Sequence, residues 1–166
     1  MFDIEALTDL TIRLSRGRLT PEEKQLAICR CVHEVVTDAN RVSLWQFNQD
    51  KSAIHCLLLM VNGQIASRPE DILREHAAPY FDAMLTKELI VASDSRTHPD
   101  TACFADTYSI PNNIFSLLDF IFHDNFRPFG IICCEREGSP VSWKEHQIAQ
   151  LKRVAGVSSM FYADNP

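Results

Sequence analysis

The sequence lacks any apolar run long enough to cross a bilayer, which takes about 20 consecutive apolar residues. It also lacks the apolar block of a signal peptide, because residues 1–18 alternate charged and aliphatic side chains. These two absences predict a cytoplasmic location and no membrane contact by this chain.

Basic residues are scarce as well. The chain has 16 Lys and Arg against 22 Asp and Glu, which gives a formal net charge of -6. Proteins that bind a phosphate backbone draw on clustered Lys and Arg. We therefore expect no nucleic-acid partner.

The sequence has no C-x-x-C pair, although it contains six cysteines. The adjacent Cys133 and Cys134 lie in a predicted strand, where neighbouring side chains point to opposite faces and do not ligate one metal together. All six lie in apolar or helical segments, which predicts reduced, buried thiols in a cytoplasmic chain and no metal site. The other four are Cys29, Cys31, Cys56 and Cys103.

Several catalytic motifs are missing too. We find no Ser/His/Asp arrangement, no P-loop and no H-E-x-x-H metal motif. These absences predict no catalytic activity of those classes.

What is present is an ordinary soluble composition, with 46% hydrophobic and 23% charged residues over 166 positions. Its most apolar stretch predicts a β-hairpin, with runs at Phe115–Phe122 and Phe129–Cys134 on either side of a polar turn at His123–Pro128. Nearly every residue of both runs is apolar, so both faces of these strands are expected to be covered. They are therefore predicted to be interior strands of a sheet.

Asp119 interrupts the first apolar run. A buried carboxylate is costly unless it is paired, hydrogen-bonded or facing a cavity. In the commoner arrangement, such a group accepts hydrogen bonds from the backbone amides of a nearby loop. The alternative follows from its alternation with Leu117 and Ile121, which points Asp119 at a partner or a pocket if that face is inward.

Helices are predicted at both ends of the chain. Hydrophobic periodicity indicates an amphipathic helix at Asp3–Ser15, and a capping box at Thr20–Glu23 opens a second helix that runs to Thr37 or Asp38. A second capping box at Ser142–Glu145 is predicted to open the closing helix. The apolar faces of the end helices are expected to pack partly against the core and partly against a second copy of the chain in a dimer. The residues divided between these two roles are Leu7, Leu14, Leu151 and Val154.

The middle of the chain alternates predicted strands and helices. Together with the end helices and the hairpin, this order predicts an α+β fold with a largely antiparallel sheet. The end helices are expected on one face, and the middle helices and loops on the other. The predicted middle elements are strands at Arg41–Phe47, Ile54–Val61, Gln64–Ala66 and Leu89–Ala92, a helical pattern over Glu70–Lys87 with Pro79 as its break or start, and a short helix with Phe104 and Tyr108.

Several segments between about Arg41 and Ala155 follow one another in a characteristic order and spacing. They are Arg41–Phe47, Tyr80-Phe81, Ile90–Asp94 with Pro99, Tyr108, Pro111, Ile114, Ser116–Asp119, Gly130–Glu135 and Trp143. In this order and spacing the chain resembles a GAF domain. It departs from the family pattern at Asn113, Ile121 and the hairpin turn, where glycine, proline and glycine are usual.

The resemblance implies a PAS-related fold with a central antiparallel sheet of about five or six strands, end helices on one face and a ligand pocket on the other. It implies a single domain over residues 1–166, with helices at 1–38, the sheet and pocket at 41–137 and the closing helix at 142–162. Such domains sense small molecules or dimerise in bacterial histidine kinases, diguanylate cyclases and transcriptional regulators. No output motif of those proteins is present, so we expect the sensor alone or a fragment whose effector lies in the same chain or operon.

A pocket between the sheet and the middle helices would have aromatic walls and two acidic anchors. The alternative is that the aromatic residues simply fill the core. Acidic anchors disfavour a strongly anionic ligand, and the cyclic-nucleotide signature of some family members is not recognisable. The expected walls are Trp45, Tyr80, Phe81, Phe104 and Tyr108, and the expected anchors are Asp94 and Asp119.

Three other functions follow from the resemblance. A bilin chromophore would attach at Cys103, but light-sensing relatives usually place His where this chain has Phe104. Methionine sulfoxide reduction would need an activated thiolate and a resolving thiol, such as Cys103 with Cys133 or Cys134, but the characteristic cysteine spacing is missing. The third is a ligand-free homodimerisation module. We expect a non-catalytic small-molecule sensor that pairs through its end helices.

Overall fold

The computed structural model describes residues 2–163. The four α-helices are α1 (Phe2–Ser15), α2 (Pro21–Val35), α3 (Ala78–Lys87) and α4 (Glu145–Phe161). The strands are β1 (Arg41–Phe47), β2 (Ala53–Val61), β3 (Gln64–Ala66), β4 (Ile72–Leu73), β5 (Leu89–Ala92), β6 (Ile114–Asp124) and β7 (Arg127–Glu137). Short 3₁₀ turns at Arg74–His76 and Ala102–Phe104 and a π-helical turn at Ala105–Ser109 complete the described elements.

All seven strands belong to one antiparallel sheet in the order β3-β2-β1-β7-β6-β5, with β4 also paired to β2. The predicted α+β fold with a central antiparallel sheet is confirmed. The sheet exceeds the expected five or six strands because Ile72 and Leu73 pair with the start of β2.

The β6–β7 hairpin forms as predicted, but its turn is shorter. The strands continue to Asp124 and resume at Arg127, so only Asn125 and Phe126 lie in the turn. Both have positive φ, 49° and 65°, which matches the type I′ turns that fit the twist of two-residue hairpins. The polar run at 123–128 therefore predicted too long a turn, because polar residues at the ends of the strands are still paired.

The sheet separates two apolar cores. One lies against α1, α2 and α4, and the other lies against α3 and the short turns. Successive residues of the hairpin enter opposite cores: Leu118 and Cys134 the first, Leu117 and Cys133 the second. This confirms that both faces of the interior strands are covered and that the adjacent cysteines point apart.

The first capping box is confirmed and the second is wrong. Thr20 Oγ1 accepts the Glu23 amide at 3.2 Å, and the Glu23 carboxylate accepts the Thr20 amide at 3.4 Å. At the closing helix, however, Lys144 is the N-cap and makes no side-chain capping bond, so α4 begins at Glu145 without a box.

The helical pattern predicted over Glu70–Lys87 is wrong before Pro79, whereas the predicted helix start at Pro79 is confirmed to within one residue. Pro79 fits only the first turn of a helix, so α3 begins at Ala78, one residue before it. The preceding segment instead pairs with the sheet as β4, where Ile72 lies opposite Ile54. This pairing places Ile72 at the edge of the second core.

The residues proposed for a dimer seam lie mostly inside the protein. Leu14, Leu151 and Val154 are completely buried in the first core, and Leu7 is partly buried against it. None of the helices within residues 2–163 is long and apolar enough to cross a membrane.

Candidate ligand-binding site

A small cavity lies in the second core, between the sheet and the segments that cover it. Its volume is about 10 Å³, measured as the space open to the centre of a water molecule. That is room for about one water. The lining residues come from β1, β2, β4, β6, β7, α3 and the short turns: Trp45, Ile54, Ile72, Tyr80, Phe104, Tyr108, Leu117, Asp119, Cys133 and Glu135.

A larger cleft of about 530 Å³, measured in the same way, opens outside the cavity. Three side chains line both spaces: Ile72, Phe104 and Tyr108. They therefore separate the cavity from the cleft. Glu70 and Asp71 lie on the outer wall of the cleft.

Asp119 reaches the cavity from β6 and is completely buried. One of its oxygens, Oδ2, accepts a hydrogen bond from the Tyr80 hydroxyl. The other, Oδ1, has no hydrogen-bond partner among the described residues. Burial raises the pKa of Asp119 to about 8, although hydrogen bonds from the Cys133 thiol and the Tyr80 hydroxyl oppose the shift. The expectation that loop amides satisfy this carboxyl is wrong, because the groups that donate to it lie on α3 and on the neighbouring strand β7.

Glu135 enters the same cavity from β7 and is equally buried. Its Oε1 accepts a hydrogen bond from Arg41 Nε at 3.0 Å and another from the Tyr108 hydroxyl at 3.1 Å. Its Oε2, like Asp119 Oδ1, has no partner in the part of the chain that the structure describes. Burial raises the pKa of Glu135, and the charge of Arg41 opposes that shift.

Arg41 is a buried cation beside the cavity. Besides Glu135, it pairs with the half-exposed Glu137 at 3.5 Å. Burial lowers its pKa, but the charges of Glu135 and Tyr108 more than offset this and hold it above the usual value. The guanidinium is therefore permanently charged, and Glu135 is its principal counter-ion.

Two carboxyl oxygens without partners in one cavity define what the site can do. A buried acceptor that is left unsatisfied destabilises a protein by about 1–3 kcal/mol. A molecule that brings N–H or O–H donors to Glu135 Oε2 and, once Asp119 has lost its proton, to Asp119 Oδ1 recovers that free energy. The cavity therefore accepts hydrogen bonds from both carboxyls when Asp119 is ionised.

Five of the seven residues predicted for the site line the cavity: Trp45, Tyr80, Phe104, Tyr108 and Asp119. The other two do not. Phe81 lies behind Tyr80 in the core, edge-on to it with ring centroids 6.1 Å apart. Asp94 is exposed in a loop, where its carboxylate accepts the Arg96 amide at 3.1 Å.

Sequence reasoning missed Arg41, Cys133 and Glu135 as site residues. A signal for Glu135 existed: it alternates with Cys133 in a strand, so both lie on one face. Arg41 similarly begins the strand that carries Trp45, and it pairs in register with Glu135 across β1 and β7.

The thiols at the site are protonated. Cys133 lines the cavity and Cys103 lines the cleft, and burial raises the pKa of both. The same effect raises the pKa of Cys56 to about 12. Within residues 2–163 no group of three or more His, Cys, Asp and Glu side chains is arranged to hold a metal ion.

No protein-family model and no curated protein matches the sequence. Solved structures do match the fold. The phycocyanobilin-bound GAF domain of a cyanobacterial phytochrome superposes with a TM-score of 0.75 at 13% identity, covering 95% of this chain and 92% of that one. The GAF domain of an Acinetobacter phosphoenolpyruvate-protein phosphotransferase gives 0.72 at 8% identity, with 98% and 94% covered.

The free methionine-R-sulfoxide reductase of Neisseria meningitidis, solved with its substrate, is a third match. It has a TM-score of 0.70 at 12% identity and covers 95% of this chain and 86% of that one. These similarities show that the chain has a GAF fold. Because the fold is shared by sensor domains and by an enzyme, the site must decide the function.

Proposed function

We propose that this GAF-fold protein is a non-catalytic regulatory domain that senses a small molecule in the cavity beside Asp119 and Glu135. The observation that carries the proposal is the pair of buried carboxyl oxygens without partners, Asp119 Oδ1 and Glu135 Oε2, in one cavity. The cleft outside Ile72, Phe104 and Tyr108 offers room for the rest of a ligand.

The chemistry of the thiols supports a sensor over a reductase. Reduction of a sulfoxide by cysteine needs a thiolate. Burial raises the pKa of both Cys103 and Cys133, so neither thiol is activated. We therefore infer that this chain shares the fold of the reductase but does not carry out its reaction.

Ligand binding would move the segments that cover the sheet. Tyr80 lies on α3 and Tyr108 on the π-helical turn, and each donates its hydroxyl to a cavity carboxyl. A ligand that brings its own donors competes with these hydroxyls. The resulting displacement of α3 and the turn is the signal that an effector of a bacterial signalling protein, in the same chain or operon, would read.

The proposal is tested by blocking the passage into the cavity. Ile72→Trp places a larger side chain between the cleft and the cavity, and Ile65→Trp makes the same change on the exposed face of β3. A library of small metabolites is screened by thermal shift and by ¹H–¹⁵N NMR. We expect ligands that stabilise the wild type and Ile65→Trp but not Ile72→Trp. A full screen without such a ligand would contradict the proposal.

A second function, pairing with another copy, is favoured by one feature of α1. Ile4 and Ile12 are 64% and 42% exposed, and residues eight apart lie on one helix face. We propose that this face forms a homodimer seam. Light scattering should show a dimer for the wild type and for Ile65→Lys, and a monomer for Ile12→Lys; a monomeric wild type would contradict it.

A further inference from the structure

We propose that the cavity takes the protonated amino group of a small organic cation, held between Asp119 Oδ1 and Glu135 Oε2. This inference rests on the proposed function and names the class of ligand for that site. It begins from the two buried oxygens, for which the described residues offer no hydrogen-bond partner, whereas Tyr80, Tyr108 and Arg41 donate to the other oxygens of the two carboxyls. The Cys133 thiol lies beside both carboxyls.

The size of the cavity fits a single ammonium group. Its volume of about 10 Å³ holds one water-sized group. An ammonium nitrogen is of that size and carries three N–H donors and no acceptor. Two donors meet Asp119 Oδ1 and Glu135 Oε2, and the Tyr80 hydroxyl oxygen retains a lone pair for the third.

The charges favour a cation. When Asp119 gives up its proton, Asp119 and Glu135 carry two negative charges against the positive charge of Arg41. An ammonium group that takes the place of that proton balances the charges inside a region of low dielectric, where an uncompensated charge is costly. An anion would instead add its charge beside Glu135, which disfavours phosphates and carboxylates in the cavity.

A metal ion is a poorer occupant than an ammonium group. The described residues contain no group of three His, Cys, Asp or Glu side chains placed to coordinate one. Cys133, the thiol in the cavity, has a raised pKa and so is not a thiolate ligand. Two acceptor oxygens from separate strands suit a hydrogen-bond donor better.

The body of the ligand would extend past Ile72, Phe104 and Tyr108 into the cleft. Two of these are aromatic, and aromatic faces attract organic cations and pack against alkyl or aryl groups. The outer wall carries Glu70 and Asp71, of which Asp71 contacts His55 at 2.7 Å. The ligand class is therefore a primary alkyl- or arylalkyl-ammonium ion.

Binding should release a proton. Asp119 has a pKa of about 8 in the empty cavity because of burial, so it is mostly protonated at neutral pH. The other groups that face it are Tyr80 from α3 and Cys133 and Glu135 from β7; burial raises their pKa values as well, and the charge of Arg41 opposes the shift of Glu135. We expect Asp119 to be the group that loses its proton when the cation arrives.

Calorimetric titration with 2-phenylethylammonium chloride tests the inference, with 2-phenylethanol and 3-phenylpropionate as neutral and anionic counterparts. We expect the ammonium ion alone to bind. Titrations in two buffers of different ionisation enthalpy should show release of about one proton near pH 7. The affinity should rise about tenfold per pH unit up to about pH 8 and then level off.

Matched variants localise the effect. Asp119→Asn should abolish both the binding and the proton release, whereas Asp106→Asn, which removes the same charge from the exposed π-helical turn, should leave both unchanged. If Asp119→Asn does not fold, the proton release of the wild type still decides. Binding of 2-phenylethanol as tight as that of the ammonium ion, or cation binding that survives Asp119→Asn, would overturn the inference and leave the sensor proposal standing.

Failure of 2-phenylethylammonium to bind at millimolar concentration would also overturn the inference. The sensor proposal is then decided separately, by whether any metabolite stabilises the wild type but not Ile72→Trp. The two experiments therefore fail independently.

Discussion

Replacing Asp119 by asparagine should change how stability depends on pH. The carboxyl is fully buried and accepts the Tyr80 hydroxyl, and its pKa rises from 3.8 to about 8 because burial disfavours its charged form. In the unfolded chain an aspartate titrates near about 3.9. Between these two values the folded protein binds a proton that the unfolded chain does not.

The sign follows from this difference. A raised pKa means that the stabilisation from holding Asp119 protonated is complete at low pH and is lost as the pH rises through about 8. The free energy of unfolding of the wild type should therefore fall by about 1.4 kcal/mol per pH unit below that value. From about pH 6 to about pH 8 the loss is about 2 kcal/mol, since the slope flattens near the pKa.

Asparagine cannot titrate, so this slope should disappear in Asp119→Asn. Urea unfolding of both proteins at several pH values, in amine-free buffer, measures the difference and cancels the other titrating groups. As the pH rises, the free energy of unfolding of the variant should increase relative to that of the wild type, and the difference should level off above about pH 8. Asp106→Asn, an exposed control, should show no such trend. A pH-independent difference for Asp119→Asn would refute the assignment of a buried, protonated carboxyl.

Other predictions concern the scaffold. A Cβ at Gly130 would lie 2.2 Å from the Trp45 carbonyl oxygen, so Gly130→Ala should destabilise the protein by about 3 kcal/mol in urea unfolding. A Cβ at Gly156 would meet no neighbouring atom within 4 Å, so Gly156→Ala should stabilise α4 by about 1 kcal/mol. Phe126 is 99% exposed at a φ of 65°, so Phe126→Gly should stabilise the hairpin by about 0.5–1 kcal/mol; a loss of stability would show that its ring makes a contact. Iodoacetamide should label Cys103, which is partly buried with a raised pKa, slowly and before any of the buried cysteines; rapid labelling would contradict the protonated thiol.

Much of the fold could be predicted from the sequence, because hydrophobic pattern and local signals agreed. The apolar hairpin, the strand Arg41–Phe47 and the Thr20–Glu23 capping box all appear where they were expected. Each depends on contacts close in sequence or on burial of both faces. Such features are visible in a single chain.

The errors arose where tertiary contacts decide the local structure. Residues 70–77 have a helical pattern, yet pairing of Ile72 with β2 draws them into the sheet. Likewise, the Ser142–Glu145 capping signature does not form, because the N-cap is Lys144 and the helix begins two residues later than the signature requires. Local propensity is a weak guide at such places.

The site was only partly predictable for the same reason. Asp119 stood out as a charge within an apolar run, and its face was predicted from alternation. Its partner Tyr80 comes from α3, and the Arg41–Glu135 pair depends on the β1–β7 register. Neither long-range pairing leaves a mark in the sequence.

Native mass spectrometry tests the central claim, ligand binding in the cavity beside Asp119, most directly. Wild type, Ile65→Trp and Ile72→Trp are each incubated with the small-molecule fraction of cells that express the protein, and spectra are recorded under gentle and denaturing conditions. The account predicts an added mass on the wild type and Ile65→Trp that is lost on denaturation, and none on Ile72→Trp. Bare protein in all three, or the same adduct on Ile72→Trp, would contradict it.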